Sequence, residues 1–432
     1  MIELMFKKLL QMKLEAYVRR YFKTHGQVKL VVVTGSVGKT STKIAIGTVL
    51  SERLRVRLHE GNHNADLSAP PAILGIEYPD NIRSIGAWRA VFRAAKQRIA
   101  EPADVDVIVQ EIGSDRIGQV PHIRKYIRPD IAVVTAVSPE HMEYFGTIEA
   151  VAAEELSVVN FSAEALINRD DIDGRFSELI TNPNISTYGS DAPAEYYFSQ
   201  QDFDIKGGFD GSLIAKGVDE PIKATLHVLG EHSMRPAIAA AAVGLKLDLT
   251  PAEISSGLGK IRPVSGRMQL LRGQDNTTII DDTYNSSPLA AASALAALYS
   301  LSTPQKIAVL GSMNELGAST EAEHEALARV CDPAQLAWVI TVGEAAEKYL
   351  APVAKARGCQ VKSFTTALEA GAFVHKVMES GAVILFKGSE GKIYLEEAIK
   401  VILHSTDDES KLVRQSSAWL ARKNAFFQEH AA

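Results

Sequence analysis

The sequence predicts an α/β fold in two parts: a mainly parallel sheet with an attached antiparallel meander, then a second α/β domain. Three observations predict it. Short β-branched runs alternate with helix-length segments across residues 27–245, the rhythm of a doubly wound parallel sheet. Residues 195–229 break that rhythm, with short alternating runs divided by Gly207-Gly208, Gly211 and Gly217; they read as the meander. A second alternating series follows a turn over residues 262–267.

Taken in order, residues 1–26 form an amphipathic N-terminal helix. Its apolar residues, among them Leu10, Leu14, Tyr17, Val18 and Tyr21, alternate with Lys7, Lys8, Lys13, Arg19, Arg20 and Lys23. Such a helix docks on its own domain, on a partner protein or on an anionic membrane surface. The first large domain is expected over 27–264, with strands near 29–34, 56–59, 105–111, 131–136 and 165–168. Near its end, Thr250 can cap a short helix, with Pro251 in the first turn. The second domain is expected over 265–432, with strands near 278–281, 306–310, 338–342, 361–364 and 383–387. The tail from about Asp407 is polar, then helical.

Composition bounds the function. Across 432 residues, 46% are hydrophobic, enough for several cores. A net charge of −6 and a pI near 6.0 argue against a general nucleic-acid binder. Two cysteines, Cys331 and Cys359, suggest neither a disulfide framework nor a metal cluster. No apolar run reaches the roughly 18 residues of a membrane span. The N-terminus lacks the apolar centre of a signal peptide. A cytoplasmic location is expected.

The chemistry starts in residues 31–42, VVVTGSVGKTST. A β-branched run leads into Gly35-Ser36-Val37-Gly38-Lys39-Thr40-Ser41, which reads as strand, glycine turn and helix start. Backbone N–H groups and a helix N-terminus there favour a phosphate chain. Lys39 adds a full charge, and the Thr40 hydroxyl can hold Mg²⁺. The position six residues before the lysine, usually glycine, is Val33, so this is a shortened P-loop. Glu111 closes a strand at the same sheet edge and can bind Mg²⁺ directly or through water. His141, after another strand end, reads as a ligand or as a structural histidine. Glu154 and Glu155 read as a solvated pair from spacing alone. Asp281-Asp282-Thr283-Tyr284-Asn285 ends the first expected strand of the second domain, as a ribose or substrate contact or a plain turn. Lys387-Gly388-Ser389 suits an anionic group or a strand-end turn.

These stretches together resemble the Mur ligase superfamily, ATP-dependent amide-forming enzymes of peptidoglycan precursor synthesis. The resemblance rests on TGSVGKTST, EGNHNADLSAPPAIL, VIVQEIGSD, HMEYFGTIEAVA, GEHSMRPAIAAAA, PVSGR, IIDDTYNSSP, VLGSMNELG and ILFKGSEG. DDTYN and MNELG point to the branch that adds D-alanyl-D-alanine to UDP-N-acetylmuramoyl-tripeptide. The resemblance implies a P-loop ATPase domain and a C-terminal Rossmann-like domain. It implies ATP bound by Gly35 to Ser41, Mg²⁺ held by Thr40, Glu111 and His141, Arg267 on the nucleotide phosphates and Asp282 on the ribose. Asn62, Asn64, Asn285, His324, Lys387 and Ser389 become substrate candidates.

Four departures from the family pattern carry further expectations. About 26 residues precede the P-loop strand, so a UDP-binding N-terminal domain is expected to be missing, its work falling to a partner or to the basic helix. The family's carbamylated lysine position falls on Glu155, which is expected to supply a carboxylate metal ligand. The family's G-x-H-N-x-x-N reads Gly230-Glu231-His232-Ser233-Met234-Arg235-Pro236, without either asparagine. Its K-G-S-R reads Lys387-Gly388-Ser389-Glu390. Rival readings are a related ligase with a polyglutamate- or cyanophycin-type acceptor, and a nucleotide-binding partner subunit with weak catalysis.

Overall fold

A computed structural model describes residues 2–59, 67–79, 81–190 and 193–430, with side chains from Phe6 onward. The chain divides into two compact units. The first is Met1–Ser138, Tyr144–His227 and Met234–Ile261; the second is Pro139–Glu143, Val228–Ser233 and Arg262–Ala432.

The elements begin with α1 (Ile2–Thr24), β1 (Lys29–Thr34), α2 (Lys39–Leu50), β2 (Val56–Leu58), α3 (Ala69–Leu74), α4 (Ile85–Ala100) and β3 (Val107–Glu111). Next come α5 (Gln119–Ile123), β4 (Ile131–Val134), α6 (Met142–Phe145), α7 (Ile148–Leu156), β5 (Glu164–Asn168) and β6 (Ile185–Tyr188). The meander is β7 (Tyr196–Asp204), β8 (Gly208–Ala215) and β9 (Ile222–Leu226), followed by α8 (Met234–Lys246) and α9 (Pro251–Lys260).

The first sheet runs β2-β3-β1-β4-β5-β6-β7-β8-β9. β2 to β6 are parallel, whereas β7, β8 and β9 pair antiparallel. β1 sits centrally, and its Leu30 to Thr34 are all buried. Helices cover both faces of such a strand, which is why it reads as a continuous apolar run. The register Val33↔Glu111 and Thr34↔Val134 brings the ends of β3, β1 and β4 to one edge, where doubly wound sheets bind ligands. α9 starts with the expected cap: Thr250 and Glu253 form a reciprocal capping box, with Pro251 in the first turn.

α1 docks on its own unit. Leu10 and Leu14 pack with Trp88 and Val91 of α4, and Leu14, Val18 and Tyr21 are fully buried. Each such side chain contributes roughly 1.5–3 kcal/mol.

The second unit holds β10 (Gln269–Arg272), β11 (Thr278–Asp282), α10 (Pro288–Tyr299), β12 (Lys306–Gly311), α11 (Thr320–Val330) and β13 (Trp338–Val342). It continues with α12 (Ala351–Ala356), β14 (Val361–Phe364), α13 (Ala367–Val377), β15 (Val383–Lys387), α14 (Glu396–Ile402) and α15 (Ser417–Glu429). Its sheet runs β10-β11-β15-β12-β13-β14, parallel except for β10. Ile279, Val309, Ile340 and Phe386 of the strands form its core with Ala370 and Val374 of α13 and Ile399 of α14.

Two strands were not expected. β10 precedes β11, so the DDTYN stretch closes the second strand of this sheet and not its first. β6 and β10 have four residues each and only one buried residue apiece. Neither shows the unbroken apolar run of a central strand.

Candidate active site

The edge formed by β3, β1 and β4 carries the first group of side chains. After β1 the chain must turn tightly under β4. Gly35 takes φ +127°, and a Cβ there would lie 2.4 Å from the Thr135 Oγ1. Gly38 takes φ +86° and begins α2. Both conformations disfavour other residues. The loop is pinned to β4: Ser36 N–H donates to the Ala136 carbonyl at 2.9 Å, and Thr135 Oγ1 donates to the Val37 carbonyl at 2.6 Å. The Ser36 hydroxyl accepts from Ser138 N–H at 3.0 Å. The result is a preformed turn of backbone N–H groups at a helix N-terminus.

Lys39 folds back over this loop and donates to the carbonyls of Gly35 and Ser36, the latter at 3.1 Å. Thr40 Oγ1 donates to Glu111 Oε2 at 3.0 Å. Lys43, one helical turn after Lys39, places its ammonium 3.5 Å from the same Glu111 oxygen, and both side chains are 4% exposed. The sequence reading did not single out Lys43. Its spacing from Lys39 on an otherwise apolar helix face was the available signal.

Glu155 is buried at the same loop. Its Oε2 accepts from Gly35 N–H at 2.8 Å and from the Thr34 hydroxyl. A solvated pair is therefore wrong for both glutamates. Glu154 accepts from Gly118 N–H and Val120 N–H, each at 2.7 Å, and from the Ser114 hydroxyl at 3.1 Å. It anchors the start of α5. Among the described residues, no three His, Cys, Asp or Glu side chains gather as a metal cluster. Asn62 and Asn64 lie outside the described residues.

A further cluster lies at the end of β5. Arg235 donates to Asp170 at 2.9 Å and to Asp171 at 2.6 Å. Asn168 donates to the Thr135 carbonyl at 2.7 Å and to Asp171 at 2.8 Å. Burial raises the Asp171 pKa against the pull of Arg235. Arg235, which lies between the two positions where the family pattern has asparagine (Ser233 and Pro236 here), is thus neutralised by two aspartates. Sequence reading named the loss of both asparagines but did not single out Arg235 or its partners.

The second unit holds the other group. His141 lies in its segment Pro139–Glu143, with φ 51°, and its Nδ1 faces Glu315 Oε2 at 2.6 Å. Asp282 pairs with Lys387 at 2.8 Å and accepts from Met268 N–H at 3.2 Å. Lys387 also donates to the Asn285 carbonyl at 2.8 Å. Ser389 accepts from Asn314 N–H at 2.9 Å. His324 is fully buried, and its Nε2 accepts from Met313 N–H at 3.0 Å. Its Nδ1 then carries the proton and donates to the Thr320 carbonyl at 2.7 Å. Burial pushes its pKa down, which favours this neutral form. His324, Lys387 and Ser389 are buried and hold loops through these bonds. Asn285 is exposed.

Arg267 stacks 4.1 Å over the Tyr284 ring. Arg414 donates to the carbonyls of Thr283 (2.7 Å) and Tyr284 (3.0 Å) and makes a two-pronged pair with the buried Glu396 (2.8 and 2.6 Å). Lys423 of α15 adds a third contact to Glu396 at 3.2 Å. Nothing in the sequence pattern linked this tail to the loop before Asn285.

Comparisons with known proteins decide the family. The Mur ligase middle domain matches residues 33–244, and the Mur ligase glutamate ligase domain matches residues 266–390. The chain belongs to the Mur ligase family. Such enzymes are ATP-dependent ligases. The UDP-N-acetylmuramoyl-tripeptide–D-alanyl-D-alanine ligase of Bacillus subtilis is 28% identical over 403 residues, 91% of this chain and 79% of that protein. The Mycobacterium tuberculosis enzyme of the same name is 28% identical over 74% of this chain, but only 59% of its own length is matched. Among solved structures, MurF of Acinetobacter baumannii superposes with a TM-score of 0.74 at 22% identity, covering 90% of this chain and 79% of that one. MurF of Thermotoga maritima, solved in complex with ADP, gives 0.73 at 22% identity, with 90% and 83% covered. This Mur ligase therefore has the expected fold, a P-loop domain followed by a Rossmann-like domain.

Proposed function

We propose that this Mur ligase joins a carboxylate to an amine through an acyl phosphate, adding a dipeptide or amino acid to a peptidoglycan-type precursor. The observation that carries the reading is the loop pinned by Gly35 and Gly38, with Lys39, Thr40 and Glu111 gathered at one sheet edge. Its N–H groups and Lys39 bind and orient a triphosphate. An oxygen of the acceptor carboxylate attacks the γ-phosphorus and ADP leaves. The amine nitrogen then attacks the acyl carbon, loses a proton, and phosphate departs with the original carboxylate oxygen.

Thr40 and Glu111 offer two oxygen donors 3.0 Å apart. Few protein oxygens suit Mg²⁺, which keeps several waters. These two residues would hold the ion, which screens phosphate charge when bound. His141 stays a candidate ligand for a second cation. Glu155 has two proposed tasks, holding the Gly35 amide and supplying a carboxylate to a cation. Arg267 remains the candidate for the nucleotide phosphates and Asn285 for the amine substrate. Asp282 reaches a ribose only by sharing its carboxylate with Lys387. A cytoplasmic site of action is part of the proposal; no described helix is long and apolar enough to cross a membrane. The basic face of α1 is the proposed contact for a partner protein or a membrane surface.

A second reading, an amide ligase with a different acceptor, is favoured by one feature. Glu390 is exposed beside Ser389, a negative charge where the family pattern has arginine. Both readings share the acyl phosphate, and isotope transfer tests it. With ¹⁸O in the acceptor carboxylate, released phosphate should carry one label per product formed. Unlabelled phosphate alongside product would refute the acyl phosphate.

A further inference from the structure

α1 and α4 together hold ten Lys and Arg against two acids, a charge of +8 within a chain of net charge −6. One of those acids, Glu15, is buried and paired with His122 at 2.7 Å. α4 contains no acidic residue and exposes Arg89, Arg93 and Lys96. On α1, Leu10, Leu14 and Val18 face the unit. The opposite arc exposes Leu9 (62%) and Met12 (57%), among the exposed Lys8, Arg20 and Lys23. The helical period of 3.6 residues puts these five on one side.

We propose that this layer docks on an anionic membrane surface, with α1 in the interface, Leu9 and Met12 in the headgroup boundary, and the cations on lipid phosphates. Charge complementarity selects the occupant: both packed helices are basic on a chain that is acidic elsewhere. The aliphatic centre distinguishes a bilayer from a nucleic acid. A phosphate backbone would use the cations but leave Leu9 and Met12 in water, whereas an interfacial helix buries such residues and adds attraction to anionic lipid. Each Lys or Arg near such a surface strengthens binding about fivefold. The proposal does not rest on the ligase reading, because vesicle binding needs neither ATP nor acceptor.

The test is co-sedimentation of the full chain with phosphatidylglycerol-containing vesicles and with pure phosphatidylcholine vesicles. The expected result is at least tenfold stronger partitioning into the anionic vesicles, lost at high salt. The double variant Leu9→Glu/Met12→Glu should weaken it at least tenfold, and Lys8→Glu/Arg20→Glu/Lys23→Glu by about a hundredfold or more. As a readout independent of those variants, Leu9→Trp should show a blue-shifted emission on anionic vesicles. Equal partitioning into both vesicle types, or none, overturns the proposal. So does a Leu9→Trp emission that stays water-like, or RNA binding that exceeds vesicle binding at the same salt.

Discussion

At the level of single residues, Glu155 and Asp281 carry the most specific consequences. Both donors to Glu155 reach the same oxygen, so glutamine can keep them while losing the charge. Glu155→Gln should therefore leave ATP affinity within a few-fold and raise the Mg²⁺ concentration for half-maximal turnover about tenfold or more. Glu155→Ala should lose ATP affinity as well. An unchanged Mg²⁺ requirement in Glu155→Gln would reduce this residue to a loop anchor. Asp281 is fully buried; its Oδ1 accepts from Thr283 N–H and the Thr283 hydroxyl, and its Oδ2 has no hydrogen-bond partner. Burial, with Asp282 and Glu396 nearby, pushes its pKa up to about 6. The folded state then binds more protons than the unfolded state between roughly pH 4 and 6, so stability falls as pH rises through that window. The penalty is about 3 kcal/mol above it and absent below it. Asp281→Asn should flatten this part of the Tm-against-pH curve relative to wild type, measured by thermal unfolding.

Among the elements, the segment from α14 to α15 acts as a strap on the loop after β11. Arg414 and Glu396 are 5% and 0% exposed, and breaking such a pair leaves an uncompensated buried charge, at a cost of about 3–5 kcal/mol. Arg414→Ala should lower the Tm markedly. It should also raise KM for the amine substrate more than KM for ATP, because the freed carbonyls belong to the loop that presents Asn285. Equal changes in both constants would mean a purely global effect. The contrast with β1 explains what sequence could tell. VVVTGSVGKT is local: strand, turn, lysine and hydroxyl lie within one window, so that half of the site was legible. Glu111 was a candidate because parallel sheets gather strand ends at one edge, and it does meet Thr40 there. Glu155 reaches Gly35 across 120 residues and Arg414 reaches Tyr284 across 130, and no spacing rule encodes such meetings. Lys387 and Ser389 look exposed as a strand-to-glycine turn, yet packing turns both inward. β6 and β10 were missed because short, half-buried strands lack a strong apolar period.

For the molecule as a whole, the alternation of strands and helices sufficed to foresee two α/β units and the meander that extends the first unit's sheet. Substrate choice is less legible, because a single side chain such as Glu390 can change charge without changing fold. The central claim is amide formation driven by ATP. The most direct measurement is mass spectrometry of products after incubation with ATP, Mg²⁺, UDP-N-acetylmuramoyl-tripeptide and D-alanyl-D-alanine, with phosphate release followed in parallel. The account predicts a pentapeptide precursor, one phosphate per product, and at least a hundredfold loss of turnover in Lys39→Ala. ATP binding with no amide product from these substrates, or from a panel of amino acids and peptides, would contradict it. So would turnover that survives Lys39→Ala unchanged.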